Sequence, residues 1–354
     1  VNAQQHLNAD LRISGFHLMD VDLGSLSVQV KEDATDRYRS TLALDAEKNQ
    51  LSATALADLS HSTPNITLDS DIDLNDLSLF SPFVKGYLFE LGGALNGPLH
   101  YSQISDDVKV RGQVAVTDGR LGLIQTGAVY RIPNDTVLFD ERGLSFTDFA
   151  LLDARDNRFL LDGHVITDAP IPELDLRLRT DRFQLVNSTV KDDPTFYGRL
   201  FSSIDLHIGG TALTPSIKGS LGVLDSTDLS IVLPGSRVEL VDHSGIVQFT
   251  ADLDAEDSLS IRTDGEMLRD SLAAQLPGVD LDLRIALDRD ARFNVVIDPT
   301  TGDQATFRGE ADLLFRYNPD GDMYLQGPFT VVDGGYTVEF YGLVKKRFEL
   351  VPGG

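Results

Sequence analysis

Apolar and polar residues alternate along most of this chain, one kind on each side of an extended backbone. Leu174, Leu176 and Leu178 share one face, while Asp175, Arg177 and Arg179 share the other. Val279, Leu281, Leu283, Ile285 and Leu287 repeat this against Asp280, Asp282, Arg284 and Ala286. The runs Leu7-Ala9-Leu11-Ile13, Ile72-Leu74 and Phe293-Val295-Ile297 follow suit. Such a period predicts an all-β fold whose sheet has one apolar and one wet face. Helical spacing is confined to two short stretches. Ser81-Pro82 reads as an N-cap and first helical residue ahead of Phe83, Tyr87 and Leu91, with Val84 and Leu88 beside them. Leu268, Leu272 and Leu276 make the second.

The alternation itself recurs at long range. Val108, Val110, Gly112, Val114 and Val116 return as Ile217, Gly219, Leu221 and Val223, then as Met323, Leu325, Gly327, Phe329 and Val331. In each copy an aspartate follows the glycine by six residues: Asp118, Asp225 and Asp333. The steps between glycines are 107 and 108 residues. Leu51, Ala53 and Ala55 likewise stand 108 residues before Phe159, Leu161 and Gly163. With no Ser/Gly or Pro-rich linker, residues 1–354 read as one extended array. Residues 1–65 would be the rear half of a unit, followed by repeats over roughly 66–172 and 173–278 and a truncated one over 279–354. A glycine on the apolar face predicts a bend or bulge. Asp118-Gly119, Asp333-Gly334 and Asn318-Pro319-Asp320-Gly321 predict hairpin turns.

An apolar sheet face must be covered, and helices are too scarce here to do it. A closed sandwich or barrel is one remedy. The other is a curved sheet folded lengthwise into a U-shaped trough whose oily interior is left for a ligand. The long repeats, the apolar-face glycines and the few large aromatics favour the trough. About 13 residues per strand and turn gives roughly 25 strands and a groove on the order of 100 Å. Its predicted lining is Val108, Val110, Val114, Val116, Leu174, Leu176, Leu178, Ile217, Leu221, Val223, Leu281, Leu283, Ile285, Leu325, Phe329 and Val331. Acyl chains suit such a groove, since burying each methylene contributes about 0.8 kcal/mol without a specific polar contact.

Charge narrows the partners. A formal net charge of -25 argues against nucleic acid, which needs a basic surface. The absence of cysteine excludes disulfides, thiolate zinc sites and thiol catalysis. No run approaches a membrane-spanning helix. The chain starts at Val1, so a targeting or anchoring segment is expected elsewhere. No nucleophile elbow, P-loop, dinucleotide turn or His-Glu-x-x-His run occurs, and the seven histidines are dispersed. His100 and His207, 107 apart, are expected at matching strand positions. Asp69, Asp71 and Asp73 open like a calcium loop, but Phe80 stands where the last ligand should be, so the wet face of a strand is expected. Asp320 and Asp322 are expected in a plain turn. Neither catalysis, a metal nor a cofactor is expected. Lys345, Lys346 and Arg347 form one basic cluster, either a solvated turn or a contact with a membrane or partner.

The C-terminal run from Gly321 to Gly354 resembles the C-terminal region of the TamB family, subunits of the translocation and assembly module, most of all the Bacteroidetes-type version. The positions that carry the resemblance are Gly321, Leu325, Gly327, Gly335, Tyr336, Phe348, Gly353 and Gly354. The resemblance implies a periplasmic body like those of AsmA-like and bridge-like lipid transfer proteins. It implies an N-terminal helix in the inner membrane, and a β-taco groove carrying phospholipid toward the outer membrane. It also implies an Omp85-type barrel partner, TamA-like, met through the C-terminal end. Lipid conduction is thus the first expectation. A chaperone-like scaffold for outer-membrane proteins is the alternative, with a structural adhesin-like array third.

Overall fold

The computed structural model describes residues 8–19, 21–105, 107–168, 170–233, 278–298, 301–340 and 344–350. They form one large, curved, twisted sheet of 20 strands and a separate two-stranded hairpin. Strand β1 (Asn8–Ser14) leads into the hairpin of β2 (His17–Leu18) and β3 (Val21–Asp22), then pairs with β4 (Ser25–Ala34). An antiparallel meander follows: β5 (Arg37–Ala46), β6 (Asn49–Asp58), β7 (Asn65–Leu74), β8 (Leu88–Ile104), β9 (Asp107–Leu123) and β10 (Ala128–Asp140). It continues through β11 (Gly143–Leu152), β12 (Arg158–Ile166), β13 (Glu173–Ser188) and β14 (Phe196–Thr211).

Beyond β14 some positions are shared by two short strands. β15 (Pro215–Val223) and β16 (Asp228–Val232) divide the edge of β14 between them. β17 (Asp280–Leu287) lies parallel to β15, and β18 (Arg292–Asp298) parallel to β16. β19 (Asp303–Tyr317) is antiparallel to both. β20 (Met323–Gln326) and β21 (Phe329–Phe340) share its other side, and β22 (Val344–Glu349) pairs with β21. Three shared positions reduce the 20 strands to 17 rungs. At about 4.8 Å each they stack over roughly 80 Å. Among the described residues some strands run longer than the expectation of about 13 residues per strand and turn, with β8 and β9 at 17 residues each.

Among the described residues helix is nearly absent. The predicted start at Ser81-Pro82 is displaced: a 3-10 helix spans Leu77–Val84, and the Asp76 side chain caps it by accepting from the Ser78 N–H at 3.1 Å. Leu88 and Leu91 belong to β8 instead of continuing the helix. Buried Asn49 fixes the entry, donating to the Asp76 carbonyl at 2.9 Å and accepting from its N–H at 2.8 Å. The second helical stretch, Leu268 to Leu276, lies outside the described residues.

The recurring Gly and Asp do different jobs. Gly112, Gly219 and Gly327 have φ of 144°, 141° and 147°. A Cβ there would sit 2.2, 2.1 and 2.1 Å from the carbonyl oxygens of Pro98, Asp205 and Asp312. Register runs unbroken through Gly219, so the glycine bends the strand without a bulge. The bulge comes six residues later in two copies. Asp118-Gly119 and Asp333-Gly334 are not hairpin turns: they lie inside β9 and β21, where register slips by one residue against β8 and β19. The slip exchanges odd for even, so Leu121 and Leu123 return to the face of Val114 and Val116. Asp225 does end a strand, in the turn between β15 and β16. The Asn318 to Gly321 turn forms as expected, with the Gly321 N–H donating to the Asn318 carbonyl at 3.0 Å.

Gly219→Ala should lower stability by about 2 kcal/mol or more, since its φ suits glycine and its Cβ meets backbone. Gly86→Ala, with open space around it, should shift stability by no more than about 0.5 kcal/mol. Urea midpoints of the two variants check this.

Candidate functional site

Cross-strand register lines up the apolar positions of successive rungs. One row runs Leu161, Leu178, Leu206, Gly219, Leu283, Phe315 and Leu325. Its neighbour runs Gly163, Leu176, Ile208, Ile217, Leu281 and Tyr317. Leu221 joins Ile204 to Ile285 in a third. Toward the N-terminus, Leu26, Leu44, Leu51, Ile72 and Gly97 continue the pattern. Small residues, Ala53, Ala55 and Ala57, occupy that face of β6. Each row is one side chain wide and crosses many strands, so together they make an apolar floor parallel to the sheet's long axis.

The floor is not uniformly open. The β4–β5, β6–β7, β8–β9, β10–β11, β12–β13 and β14–β15 turns lie along a first rim, and the intervening turns along a second. From β9 to β15 the half nearer the second rim is packed. Val114, Val116, Ala128, Tyr130, Ile132, Phe149, Phe183 and Val223 are buried there. The half nearer the first rim is half-buried at Val110, Leu174, Leu176, Leu178, Ile217 and Leu221, and Val108 is 42% exposed. Leu281, Leu283, Ile285 and Val331 are half-buried too, while Leu325 and Phe329 are exposed. The expected lining thus shares one face, but Val114, Val116 and Val223 belong to its filled half.

The filling has a local cause. β11 and β12 are short, so the ends of β10 and β13 meet above their turn. The Asn187 N–H donates to the Thr126 carbonyl at 2.8 Å, and the Tyr130 hydroxyl donates to the Leu185 carbonyl at 2.7 Å. Phe183 packs against Tyr130 and Phe159, each with ring centroids 5.3 Å apart. Sequence reasoning missed Phe183 and Phe149. Their signal was a broken alternation, for register slips between Thr180 and Phe183 and between Phe146 and Phe149. Buried Asp153 holds the turn beneath, accepting from the backbone N–H groups of Arg155 at 2.8 Å, Asn157 at 3.0 Å and Gln184 at 2.9 Å, and from Asn157 Nδ2 at 2.8 Å. Burial pushes its pKa up most strongly. The hydrogen bonds from Asn157, Gln184 and Arg155 together outweigh burial and leave it below the ordinary value.

The opposite face is a ladder of charge pairs across strands. Arg177 grips Asp205 through two bonds of 3.2 and 3.1 Å, Arg284 reaches Asp312 at 2.8 Å, and Arg179 reaches Asp162 at 2.7 Å. His100 meets Asp69 at 2.6 Å and His207 meets Asp175 at 2.8 Å. Each histidine sits one residue beyond the leucine that faces a repeat glycine. Asp69, Asp71 and Asp73 are exposed on β7. Among the described residues no acidic or histidine cluster could hold a metal ion.

Residues 146–354 match the TamB C-terminal domain family. This chain belongs to that family. No curated protein and no solved structure matches the chain. Membership ties it to the translocation and assembly module, a TamA-like system, and so to outer-membrane assembly or lipid transport. TamB-family proteins span the cell envelope, consistent with a periplasmic location. No helix among the described residues is long and apolar enough to cross a membrane. The family match begins within β11, yet the floor runs on without a break through β1 to β10. Lys345, Lys346 and Arg347 lie exposed on β22, an edge of the sheet among the described residues, with Lys346 4.9 Å from the Phe348 ring.

Asp153→Asn should cost about 2 kcal/mol at neutral pH by stranding buried N–H donors. Because folding lowers the Asp153 pKa, its contribution is full above about pH 4 and fades as pH falls through the folded value. Denaturation between pH 2 and 7 should therefore show a shallower acid loss in the variant than in the parent chain.

Proposed function

We propose that this TamB-family sheet carries phospholipid through the periplasm, from the inner toward the outer membrane, with acyl chains laid along the open half of the floor. One observation carries the reading: apolar rows that continue from rung to rung and stay half-exposed. A ligand covering them would gain about 0.8 kcal/mol for each methylene removed from water. No residue needs to recognise a particular position along the chain, so cargo can slide. The reading involves no catalysis and no cofactor. An N-terminal helix beyond these residues would anchor the protein in the inner membrane, and the C-terminal end would approach a TamA-like barrel.

A second reading draws on β22. Among the described residues β22 is an edge strand, carrying Lys345, Lys346 and Arg347, and an outer-membrane protein strand could add beside it. In that case the sheet would act as a scaffold for barrel assembly.

Photo-crosslinkers at Leu176, Leu221 or Leu283 should capture phospholipid, whereas those at Asp175 on the wet face and Val116 in the filled half should not. Polypeptide captured at the floor positions would favour the scaffold instead. Leu283→Asp should abolish lipid capture while the sheet still folds, because an unpaired carboxylate in an apolar lane is costly. Undiminished lipid transfer between vesicles by that variant would overturn transport along this lane.

A further inference from the structure

Register sets charged side chains on the floor face at few places. Among the described strands its carboxylates are Glu32, Asp135 and Asp303, and each has a partner of its own. Asp135 accepts from the Thr136 and Ala150 N–H groups at 2.8 Å each. The one described strand cation on that face is Lys346. Across β21 and β22, Tyr336 faces Phe348 and Val338 faces Lys346, so the lysine interrupts an apolar row, whereas Lys345 and Arg347 take the wet face. Wet-face arginines grip aspartates of adjoining strands, as Arg177 does Asp205 at 3.1 Å. Lys346 has no such partner among the described residues. Its ammonium lies 4.9 Å from the Phe348 ring, Asp333 and Glu349 stand on the other face, and Asp303 is two strands away. The side chains beside it are uncovered: Phe348 is 46% exposed, and Tyr336 and Val338 are half-buried. An unpaired cation and an open apolar surface thus coincide.

We propose that Lys346 contacts the phosphate of a lipid whose acyl chains lie on the floor, and so positions that lipid at β22. This rests on the acyl-groove reading. The lysine's apolar stem lies along apolar neighbours as lysine stems do, while its ammonium calls for an anion, and a phenyl ring answers that call only in part. A lipid with its tails on Tyr336, Val338 and Phe348 carries tails and phosphate within reach of one another, which matches a cation set in an apolar row. A diacylglycerol has the same tails and no phosphate, and gains nothing from Lys346. The described floor upstream has no cation, so cargo slides there and pauses here. The contact is solvent-exposed, so it contributes modestly and is screened by salt.

The test places a photo-crosslinker at Tyr336 and, separately, at Leu176, and offers vesicles with equimolar phosphatidylglycerol and diacylglycerol of the same acyl chains. At Tyr336 the expected capture favours phosphatidylglycerol about threefold more than it does at Leu176. Lys346→Met should remove that excess while total captured lipid is unchanged, and Lys346→Arg should keep it. Arg347→Met, one residue along on the wet face, should keep it too. Equal ratios at the two positions, or an excess that survives Lys346→Met or vanishes equally in Arg347→Met, would overturn the phosphate contact and leave the groove reading standing. Loss of the excess in inorganic phosphate, but not in chloride of the same ionic strength, would assign Lys346 to the free anion and overturn the lipid contact. Absence of captured lipid at both positions would overturn the groove reading, and this proposal with it. The comparison of the two positions in the parent chain decides the matter even if a variant fails to fold.

Discussion

Everything in this sheet depends on keeping side-chain parity from one rung to the next. A strand has two faces, and a slip of one residue moves every apolar side chain to the wrong one. Across 17 rungs the fold keeps its apolar rows aligned, and where it slips it does so in a controlled way. At Asp118 and Asp333 the extra residue swaps odd for even, and the apolar series resumes on the correct face. The glycine six residues earlier lets the neighbouring strand's carbonyl approach more closely than any Cβ would allow. Bend and bulge together let long strands curve without exposing their oily side to the wrong surface.

The floor was legible in the chain because it is a local property. Leu174, Leu176 and Leu178, or Leu281, Leu283 and Ile285, announce their common face through spacing alone, and no distant contact alters it. Asp-Gly pairs were less informative. The same dipeptide that closes a two-residue hairpin also supplies the left-handed residue of a bulge, and Asp118 at φ 49° takes the second role. The helix at Leu77–Val84 was displaced by a cap, Asp76, whose position is enforced from Asn49 on another strand. The half-filled interior was the least legible feature. It arises because β10 and β13 touch across three rungs, a fact of relative strand lengths that periodicity does not encode.

Two chemistries divide the two faces. The wet side spends its aspartates on arginines and histidines of adjoining strands, which aligns neighbours and keeps so broad a sheet soluble. The inner side has hardly any polar demands. The inward-facing Ser70 hydroxyl satisfies itself on the neighbouring strand's Leu99 carbonyl at 3.2 Å, while that of Ser202, buried between Phe183 and Val223, has no hydrogen-bond partner among the described residues. An interior with so few unmet hydrogen bonds suits a greasy, featureless occupant better than one with directional requirements.

The parallel step between β15 and β17 divides the molecule in time as well as space. Antiparallel neighbours zip from their own short turns, so the sheet up to β16 can assemble in the order in which it is synthesised. Ser216 and its partner Asp280 are 64 residues apart in sequence, so their pairing carries a larger closure cost. That pairing has the higher contact order and is the slow joint. The ladder from β17 to β22, whose neighbours are close in sequence, can therefore condense as its own block before it docks on β15 and β16.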